Sequence, residues 1–191
     1  MYQDAMYQVK RASQSHTLPI RGLAYHIRTW GTPKPDVPPL VMVHGWMDIG
    51  ASFQFMVDAL ADDRWVIAPD LRGFGGTQPA FADSFWFADY LADLDAILQS
   101  LVGDQPIDLL GHSLGGHIAT TYAGVRPNRI RRLVNLEGFG LASTRPSQAP
   151  GRYAQWLDEI AGGGNRARRV DGGLSGERCG GVIAKRHALR H

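Results

Sequence analysis

The sequence predicts an α/β protein built on a doubly wound, mostly parallel sheet. Four strand-like segments carry the prediction: the apolar run Leu40–Val43, then residues 65–70, 107–110 and 130–137. A wholly apolar run such as the first is typical of a strand buried on both faces. Segments with helical spacing lie between the later strands, which favours parallel pairing through right-handed crossovers. The length of 191 residues and the hydrophobic content of 44% suit one domain with a sizeable core.

The elements on either side of these strands follow from local patterns. Residues 16–20 (HTLPI) and 23–30 (LAYHIRTW) are predicted strands, and Arg21-Gly22 between them suits a tight hairpin turn. In the longest predicted helix, either Asp83 or Ser84 is expected to cap the N-terminus. Helical spacing predicts helices at residues 52–61, 83–101, 114–125 and 152–161.

The net charge of +2 is unevenly distributed along the chain. Residues 1–161 carry a net charge of −3, and residues 162–191 carry +5. Basic residues confined to a tail that lacks interleaved aromatics are weak evidence for nucleic-acid binding, so no nucleic-acid partner is expected. The single cysteine, Cys179, cannot form an internal disulfide, and no apolar run suits a signal peptide or a membrane span. These features favour a cytoplasmic protein.

A serine motif lies between a predicted strand and a predicted helix. Gly111-His112-Ser113-Leu114-Gly115 has the form G-x-S-x-G. A serine at such a junction adopts a strained turn, and small residues two places to either side let the flanking segments pass closely. Its hydroxyl then projects above the carboxyl edge of the sheet, and the next N–H points to where an oxyanion would form. The motif predicts Ser113 as a nucleophile, with the Leu114 N–H as one oxyanion donor.

A second motif, His44-Gly45-Trp46, directly follows the strand Leu40–Val43. In acyl-transfer sites, a backbone N–H from such a loop supplies the second oxyanion donor, so the Trp46 N–H is the predicted donor. His44 is expected to be buried and hydrogen-bonded within the turn. The alternative is a turn that only ends the strand and tucks in a histidine.

Three segments, "VMVHGWMDIGASF", "APDLRGFGGT" and "LLGHSLGGHIA", resemble the α/β-hydrolase superfamily in their order and spacing. The form "HGWMD…SF" resembles its serine-hydrolase-like branch. The resemblance covers about residues 16–160 and implies a nucleophile, an acid and a histidine in that chain order. It also implies that the D-x-R-G-x-G loop beginning at Asp70 is structural. Members that open epoxides or displace halide have aspartate at the elbow, so Ser113 implies attack on a carbonyl and an acyl-enzyme that water hydrolyses.

The resemblance divides the chain into four parts. Residues 1–15 form a polar N-terminal extension, 16–137 the N-terminal part of the hydrolase core, 138–161 the start of a cap segment, and 162–191 a basic tail rich in Gly and Arg. The tail holds eight glycines in 30 residues and has no apolar periodicity. Because it cannot bury enough apolar surface to offset its ordering entropy, it is predicted to be disordered.

Glu137, at the end of the last predicted strand, is the candidate acid. Most family members carry the acid after a later strand, but some place it here. A carboxylate at this position would orient a histidine and stabilise its imidazolium. The alternative is a solvated loop carboxylate. Asp158 and Glu159 are expected to form only the polar face of a helix.

The catalytic histidine has no convincing candidate in the sequence. The family places it far beyond the elbow, where only His187 and His191 remain, both in the glycine-rich tail. A general base must be held within about 2.6–3.2 Å of the hydroxyl, and a disordered tail does not hold it there. Structural roles are expected for the other histidines: His16, His26, His44, His112 and His117.

Two functions therefore remain open. The first is hydrolysis of carboxylic esters of small molecules through Ser113, with no metal or organic cofactor, because no residues have ligand spacing. The second is a catalytically inactive, truncated hydrolase that acts as a binding or self-associating module. The family-like pattern stops near residue 162, which suggests a truncated sheet and an out-of-frame tail. Residues 130–136 would then form an exposed apolar edge that invites pairing.

Overall fold

The computed structural model of the chain describes residues 7–77, 85–139 and 145–161. The chain divides into two compact units: Met1–Phe81 with Trp86–Gly140, and Ala82–Phe85 with Leu141–His191. The first unit contains the sheet and the serine motif. The predicted basic tail, residues 162–191, lies outside the described residues.

A six-stranded sheet dominates the described part of the first unit. Its strands are β1 (Ser13–Ile20), β2 (Leu23–Trp30), β3 (Leu40–Val43), β4 (Val66–Pro69), β5 (Ile107–His112) and β6 (Ile130–Leu136). Their order is β1-β2-β4-β3-β5-β6, and the pairs from β4 to β6 are parallel while β1–β2 and β2–β4 are antiparallel. The predicted α/β class with a mostly parallel sheet is confirmed. The bounds of β3 match the predicted strand because its continuous apolar run is buried throughout.

Among the described residues, three helices belong to the first unit with the sheet, and a fourth belongs to the second unit. They are α1 (Gln54–Ala59), α2 (Phe87–Val102), α3 (Leu114–Val125) and α4 (Ala149–Ala161). Trp86 is the N-cap of α2 and makes no side-chain capping bond. The expected caps, Asp83 and Ser84, lie outside the described residues, and neither is the N-cap. The segment predicted as one helix, residues 52–61, begins within a 3-10 turn, Gly50–Phe53, and continues as α1.

The β1–β2 hairpin closes through a two-residue turn, as predicted. Both turn residues have left-handed backbone angles, with φ of 46° at Arg21 and 80° at Gly22. This conformation at both central residues matches the right-handed twist of the two strands. One core cluster packs beneath α1 on the inner strands: Trp30, Leu40, Met42, Phe53, Val57, Val66, Ala68 and Leu110.

The segment before β1 is bound to α1. The Asp58 carboxylate accepts hydrogen bonds from the Tyr7 hydroxyl, from Lys10 N (3.1 Å) and from Arg11 N (2.8 Å). The Arg11 guanidinium also donates to the Leu60 carbonyl at 2.8 Å, just past the end of α1. Removal from solvent acts to raise the pKa of Asp58, but these hydrogen bonds outweigh it and lower the pKa to about 2.

In the described part of the chain, strand β6 is at one edge of the sheet and is largely exposed. Five of its seven residues are exposed, and neither face is buried. Parallel strands are normally covered on both faces, so β6 departs from that rule.

Helix α4 begins at Ala149, three residues before the predicted start, and follows a 3-10 turn, Pro146–Gln148. It exposes two large apolar side chains, Tyr153 and Leu157. In the described part of the chain, no helix has both the length and the apolar character that a bilayer span requires.

Candidate active site

Ser113 lies at the junction of β5 and α3, at the carboxyl end of the sheet. Its backbone angles, φ of 51° and ψ of −116°, lie in a region that non-glycine residues rarely adopt. The Ser113 N–H donates to the Leu136 carbonyl at 2.8 Å, and the Ser113 carbonyl accepts from His117 N at 3.0 Å. Such a conformation costs about 1–3 kcal/mol and persists where the surroundings hold it, which directs attention to function.

The glycines of the motif are required because backbones pass at close range. A Cβ added to Gly115 would lie 2.6 Å from the His44 carbonyl oxygen and 2.5 Å from the Val43 carbonyl carbon. A Cβ on Gly111 would lie 2.6 Å from Gly116 N and would overlap the Gly115 carbonyl. The elbow is therefore pressed against the end of β3, where the second motif begins.

The turn of the second motif packs directly on the serine. A Cβ added to Gly45 would lie 3.3 Å from Ser113 Cβ and 3.0 Å from His112 Nδ1. His44 is fully buried, with its Nδ1 2.7 Å from the Gly45 carbonyl oxygen, while its Nε2 accepts from Leu71 N at 2.8 Å. Because Nε2 accepts, the proton of the neutral ring is on Nδ1. Burial lowers the pKa of His44, and the hydrogen bond to the Gly45 carbonyl only partly offsets it.

The two predicted oxyanion donors are the backbone N–H groups of Trp46 and Leu114, and both are free in the described part of the chain. Neither Trp46 N nor Leu114 N donates a hydrogen bond there. Leu114 is the first residue of α3, so its N–H is one of the four amides that lack a partner within the helix. Both segments flank Ser113 on the sheet edge. The arrangement suits stabilisation of a developing negative charge, since preorganised N–H groups are the usual donors for it.

The D-x-R-G-x-G loop, residues 70–75, is bound through its aspartate. The Asp70 carboxylate accepts from Gly50 N at 2.7 Å and Gly76 N at 2.8 Å, and it pairs with His26 Nδ1 at 2.8 Å. Gly75 has φ of 53°, and a Cβ there would lie 2.5 Å from the Asp70 carboxyl carbon. The loop therefore joins β2, β4 and the turn before α1, which is a structural role.

The arginine of this loop is fixed by a buried carboxylate on α2. Arg72 donates to Asp93 from Nε at 2.5 Å and from Nη2 at 2.8 Å, a bidentate pair. The Tyr25 hydroxyl donates to the same carboxylate at 2.6 Å, and Arg21 at 2.8 Å. Burial acts to lower the pKa of Arg72, but the Asp93 carboxylate raises it, so the guanidinium stays charged.

Glu137 follows β6 directly and has a left-handed backbone with φ of 58°. Its carboxylate is exposed and makes no hydrogen bond or ion pair with any described residue. Strand β6 lies next to β5 in the sheet, so Glu137 and Ser113 both follow the carboxyl ends of neighbouring strands.

Asn135 fixes the turn that carries Glu137, a role that the sequence analysis missed. Its side chain accepts from Gly138 N at 2.6 Å and donates to the Gly138 carbonyl at 2.8 Å. It also donates to the Thr120 hydroxyl on α3 at 3.0 Å. An asparagine placed three residues before a glycine at a strand end is a local signal for such a turn.

Most of the described histidines are engaged away from Ser113. His16 is 3.0 Å from the Thr29 hydroxyl, and His26 pairs with Asp70. The His117 ring packs on Phe87 with centroids 4.4 Å apart, and burial lowers its pKa. His112 differs, because its Nδ1 and Ser113 Cβ border the same Gly45. His187 and His191 lie outside the described residues.

Exposed aromatic and apolar side chains surround the second motif. Trp46 packs edge-to-face on Phe74 with ring centroids 5.0 Å apart and remains 38% exposed. Met47, which follows it with φ of 59°, is 81% exposed. In the described part of the chain no group of three or more metal-ligating side chains comes together.

Residues 38–172 match the family described as alpha/beta hydrolase fold. The chain belongs to this family. Among curated relatives, it is 34% identical over 136 residues to a (lyso)-N-acylphosphatidylethanolamine lipase of Homo sapiens, covering 68% of this chain and 40% of the lipase. It is 26% identical over 137 residues to a serine hydrolase-like protein of Danio rerio, covering 71% and 41%.

A solved structure is similar to the described part of the chain. The thioesterase domain from the curacin biosynthetic pathway superimposes with a TM-score of 0.65 at 28% identity, covering 78% of this chain and 52% of that one. The chain spans about two fifths of the length of the two curated relatives.

Proposed function

We propose that this alpha/beta hydrolase cleaves carboxylic ester-type bonds through an acyl-enzyme on Ser113. The base takes the Ser113 hydroxyl proton as Oγ attacks the ester carbonyl, and the tetrahedral oxyanion accepts hydrogen bonds from Trp46 N and Leu114 N. The base then gives the proton to the departing alcohol. Water then hydrolyses the acyl-enzyme and releases the acid. Glu137 is the proposed acid that orients the base.

The observation that carries the proposal is the strained backbone of Ser113 beside two free amides. A serine with φ of 51°, pressed against a glycine turn, is costly unless the position is used. Serine rather than aspartate at this place favours carbonyl chemistry. The exposed Trp46, Met47 and partly covered Phe74 beside the turn favour a substrate with an apolar acyl group.

A fluorophosphonate probe tests the nucleophile, because it modifies activated serines. We expect stoichiometric labelling of the folded chain, with the adduct on Ser113 by peptide mass spectrometry. Ser113→Ala should lose the label. Ser100→Ala, at an exposed position near the end of α2, is the matched control and should keep it. Labelling that persists in Ser113→Ala, or no labelling of a chain that is folded by circular dichroism, would contradict the proposal.

The acid and the base are tested by the labelling rate. Glu137→Gln should slow labelling strongly, because amide substitution of a triad acid costs about 10⁴-fold in kcat. Asp104→Asn changes a carboxylate that is 94% exposed and should have no effect. Loss of labelling in His112→Ala, His187→Ala or His191→Ala assigns the base. Full labelling in all three would exclude these three histidines as the base.

A second candidate function is a binding or self-associating module in which Ser113 is not reactive. Two observations favour it: among the described histidines His16, His26 and His44 bond to groups other than Ser113, and β6 leaves both faces exposed. Labelling distinguishes the two candidates, because only the esterase predicts a reactive serine.

A further inference from the structure

The turn that follows β6 carries the candidate acid, Glu137, and is attached to the serine elbow on both sides of that residue. On one side, the Leu136 carbonyl accepts a hydrogen bond from Ser113 N at 2.8 Å. On the other side, a Cβ added to Gly138 would lie 2.5 Å from Gly116 Cα, so these two backbones are in close contact. The neighbours of Glu137 are therefore both held against the segment that carries Ser113.

The side chain of Asn135 closes this turn. Its oxygen accepts from Gly138 N at 2.6 Å, and its nitrogen donates to the Gly138 carbonyl at 2.8 Å. The same nitrogen donates to the Thr120 hydroxyl at 3.0 Å, which connects the turn to α3. One side chain thus binds both backbone polar groups of the residue after Glu137.

The backbone of Glu137 needs such support, because its φ of 58° is left-handed. In this region the Cβ of an ordinary residue comes too close to the following carbonyl oxygen, and most non-glycine residues avoid it. Without the bonds from Asn135, the backbone is expected to relax toward a negative φ. Such a rotation changes the direction in which the Glu137 side chain leaves the main chain.

We propose that Asn135 is a positioning residue, which holds Glu137 in the orientation in which its carboxylate aligns the base for Ser113. The inference rests on the proposed function, because it requires Glu137 to be the acid. Asn135 acts through Glu137 and takes no part in the bond-making steps. Displacing a catalytic group by about 1 Å can lower the rate by about 10²-fold, which is the size of effect expected on losing Asn135.

The rate of fluorophosphonate labelling of the full chain tests this role. Asn135→Ala removes all three hydrogen bonds and should slow labelling by about 10²-fold. Thr120→Val removes only the bond to α3 and keeps the shape of the side chain, so its rate should be intermediate. Asn128→Ala is the matched control, since it makes the same change in the 3-10 turn Pro127–Arg129, at the opposite end of β6. It should label at the unmodified rate.

A double-mutant cycle distinguishes positioning from a general loss of structure. If Asn135 acts through Glu137, Asn135→Ala slows labelling of the unmodified chain but adds nothing in a Glu137→Gln background. If Asn135 only maintains the fold, the two effects multiply. Circular dichroism of each variant confirms that folded chains are compared, and Thr120→Val replaces Asn135→Ala in the cycle if the latter does not fold.

The pH dependence of labelling gives a second readout. A well-placed carboxylate raises the pKa of the histidine that it orients, because it stabilises the imidazolium. Misplacing the carboxylate lowers that pKa, so the neutral base is available at lower pH. The midpoint of the labelling curve should therefore shift to lower pH in both Asn135→Ala and Glu137→Gln, and should stay unchanged in Asn128→Ala.

The outcomes separate this inference from the proposed function. Slow labelling of Glu137→Gln with unmodified labelling of Asn135→Ala would overturn the inference alone and leave the acid in place. Effects that multiply in the double variant, or a pH midpoint that does not move in Asn135→Ala, would also overturn only the inference. Full-rate labelling of Glu137→Gln would overturn the acid and the inference together.

Discussion

Replacing Gly115 by alanine tests the close approach of the elbow to the end of β3. The new Cβ would lie 2.6 Å from the His44 carbonyl oxygen and 2.5 Å from the Val43 carbonyl carbon. Ordinary contacts of this kind are about 3.5 Å, so the two backbones must separate by about 1 Å. Overpacking against backbone costs about 3 kcal/mol, and the helix propensity of alanine returns about 1 kcal/mol. The expected net loss of stability is about 2 kcal/mol.

Gly124 supplies the matched control on the same helix. A Cβ added there meets no atom within 4 Å. Gly124→Ala should therefore stabilise the chain by about 0.5–1 kcal/mol through propensity alone. The two variants should thus differ by about 3 kcal/mol in the free energy of unfolding.

Urea denaturation followed by tryptophan fluorescence measures this difference. With an m-value of about 2 kcal/mol/M, the midpoints of the two variants should differ by about 1.5 M. Gly115→Ala should also lose fluorophosphonate labelling, because the turn carrying Trp46 must move. A midpoint for Gly115→Ala at or above that of the unmodified chain would refute the close approach and the reasoning built on it.

Three further substitutions test individual hydrogen bonds and ion pairs of the fold. Asp93→Asn should destabilise the chain by about 3–5 kcal/mol in chemical denaturation, because it leaves the buried Arg72 uncompensated; a loss below 1 kcal/mol would contradict this. Asp58 has a pKa of about 2 in the folded chain against 3.8 as the ordinary value, so the unfolded chain takes up the proton first as pH falls. The stability advantage over Asp58→Asn should therefore shrink between about pH 5 and pH 2, and an unchanged difference would contradict the assignment. His44→Phe removes the acceptor of Leu71 N and should cost about 1–3 kcal/mol in denaturation midpoints, whereas a neutral effect would argue against that bond.

The sequence predicted the parts of the fold that local patterns determine. The run Leu40–Val43 could be recognised because a strand buried on both faces contains no polar residue. The hairpin turn could be recognised because glycine at position 22 tolerates the left-handed conformation that the turn requires. The position of Ser113 between strand and helix followed from the glycine spacing around it.

Contacts between distant segments could not be predicted in this way. Asp58 binds Tyr7 across 51 positions of sequence, and no periodicity indicates such a contact. His26 pairs with Asp70 because β2 and β4 are neighbours in the sheet, a fact of topology rather than of pattern. The start of α2 was not predicted either, because its N-cap residue, Trp86, makes no side-chain capping bond that a sequence motif would indicate.

The sequence predicted the backbone turns of the candidate site. It did not predict the contacts that its side chains make. The turn at Gly45 packs on Ser113, and the motif order had placed both at the same sheet edge. The two hydrogen bonds between the Asn135 side chain and the Gly138 backbone were missed, because they depend on the conformation of the turn. The sequence offered no convincing base, and His187 and His191 lie outside the described residues.

A crystal structure of the chain after reaction with a fluorophosphonate tests the central claim most directly. We expect a phosphonyl group bonded to Ser113 Oγ, with its free oxygen about 2.7–3.1 Å from both Trp46 N and Leu114 N. An unmodified Ser113, or an adduct whose oxygen contacts neither amide, would contradict it.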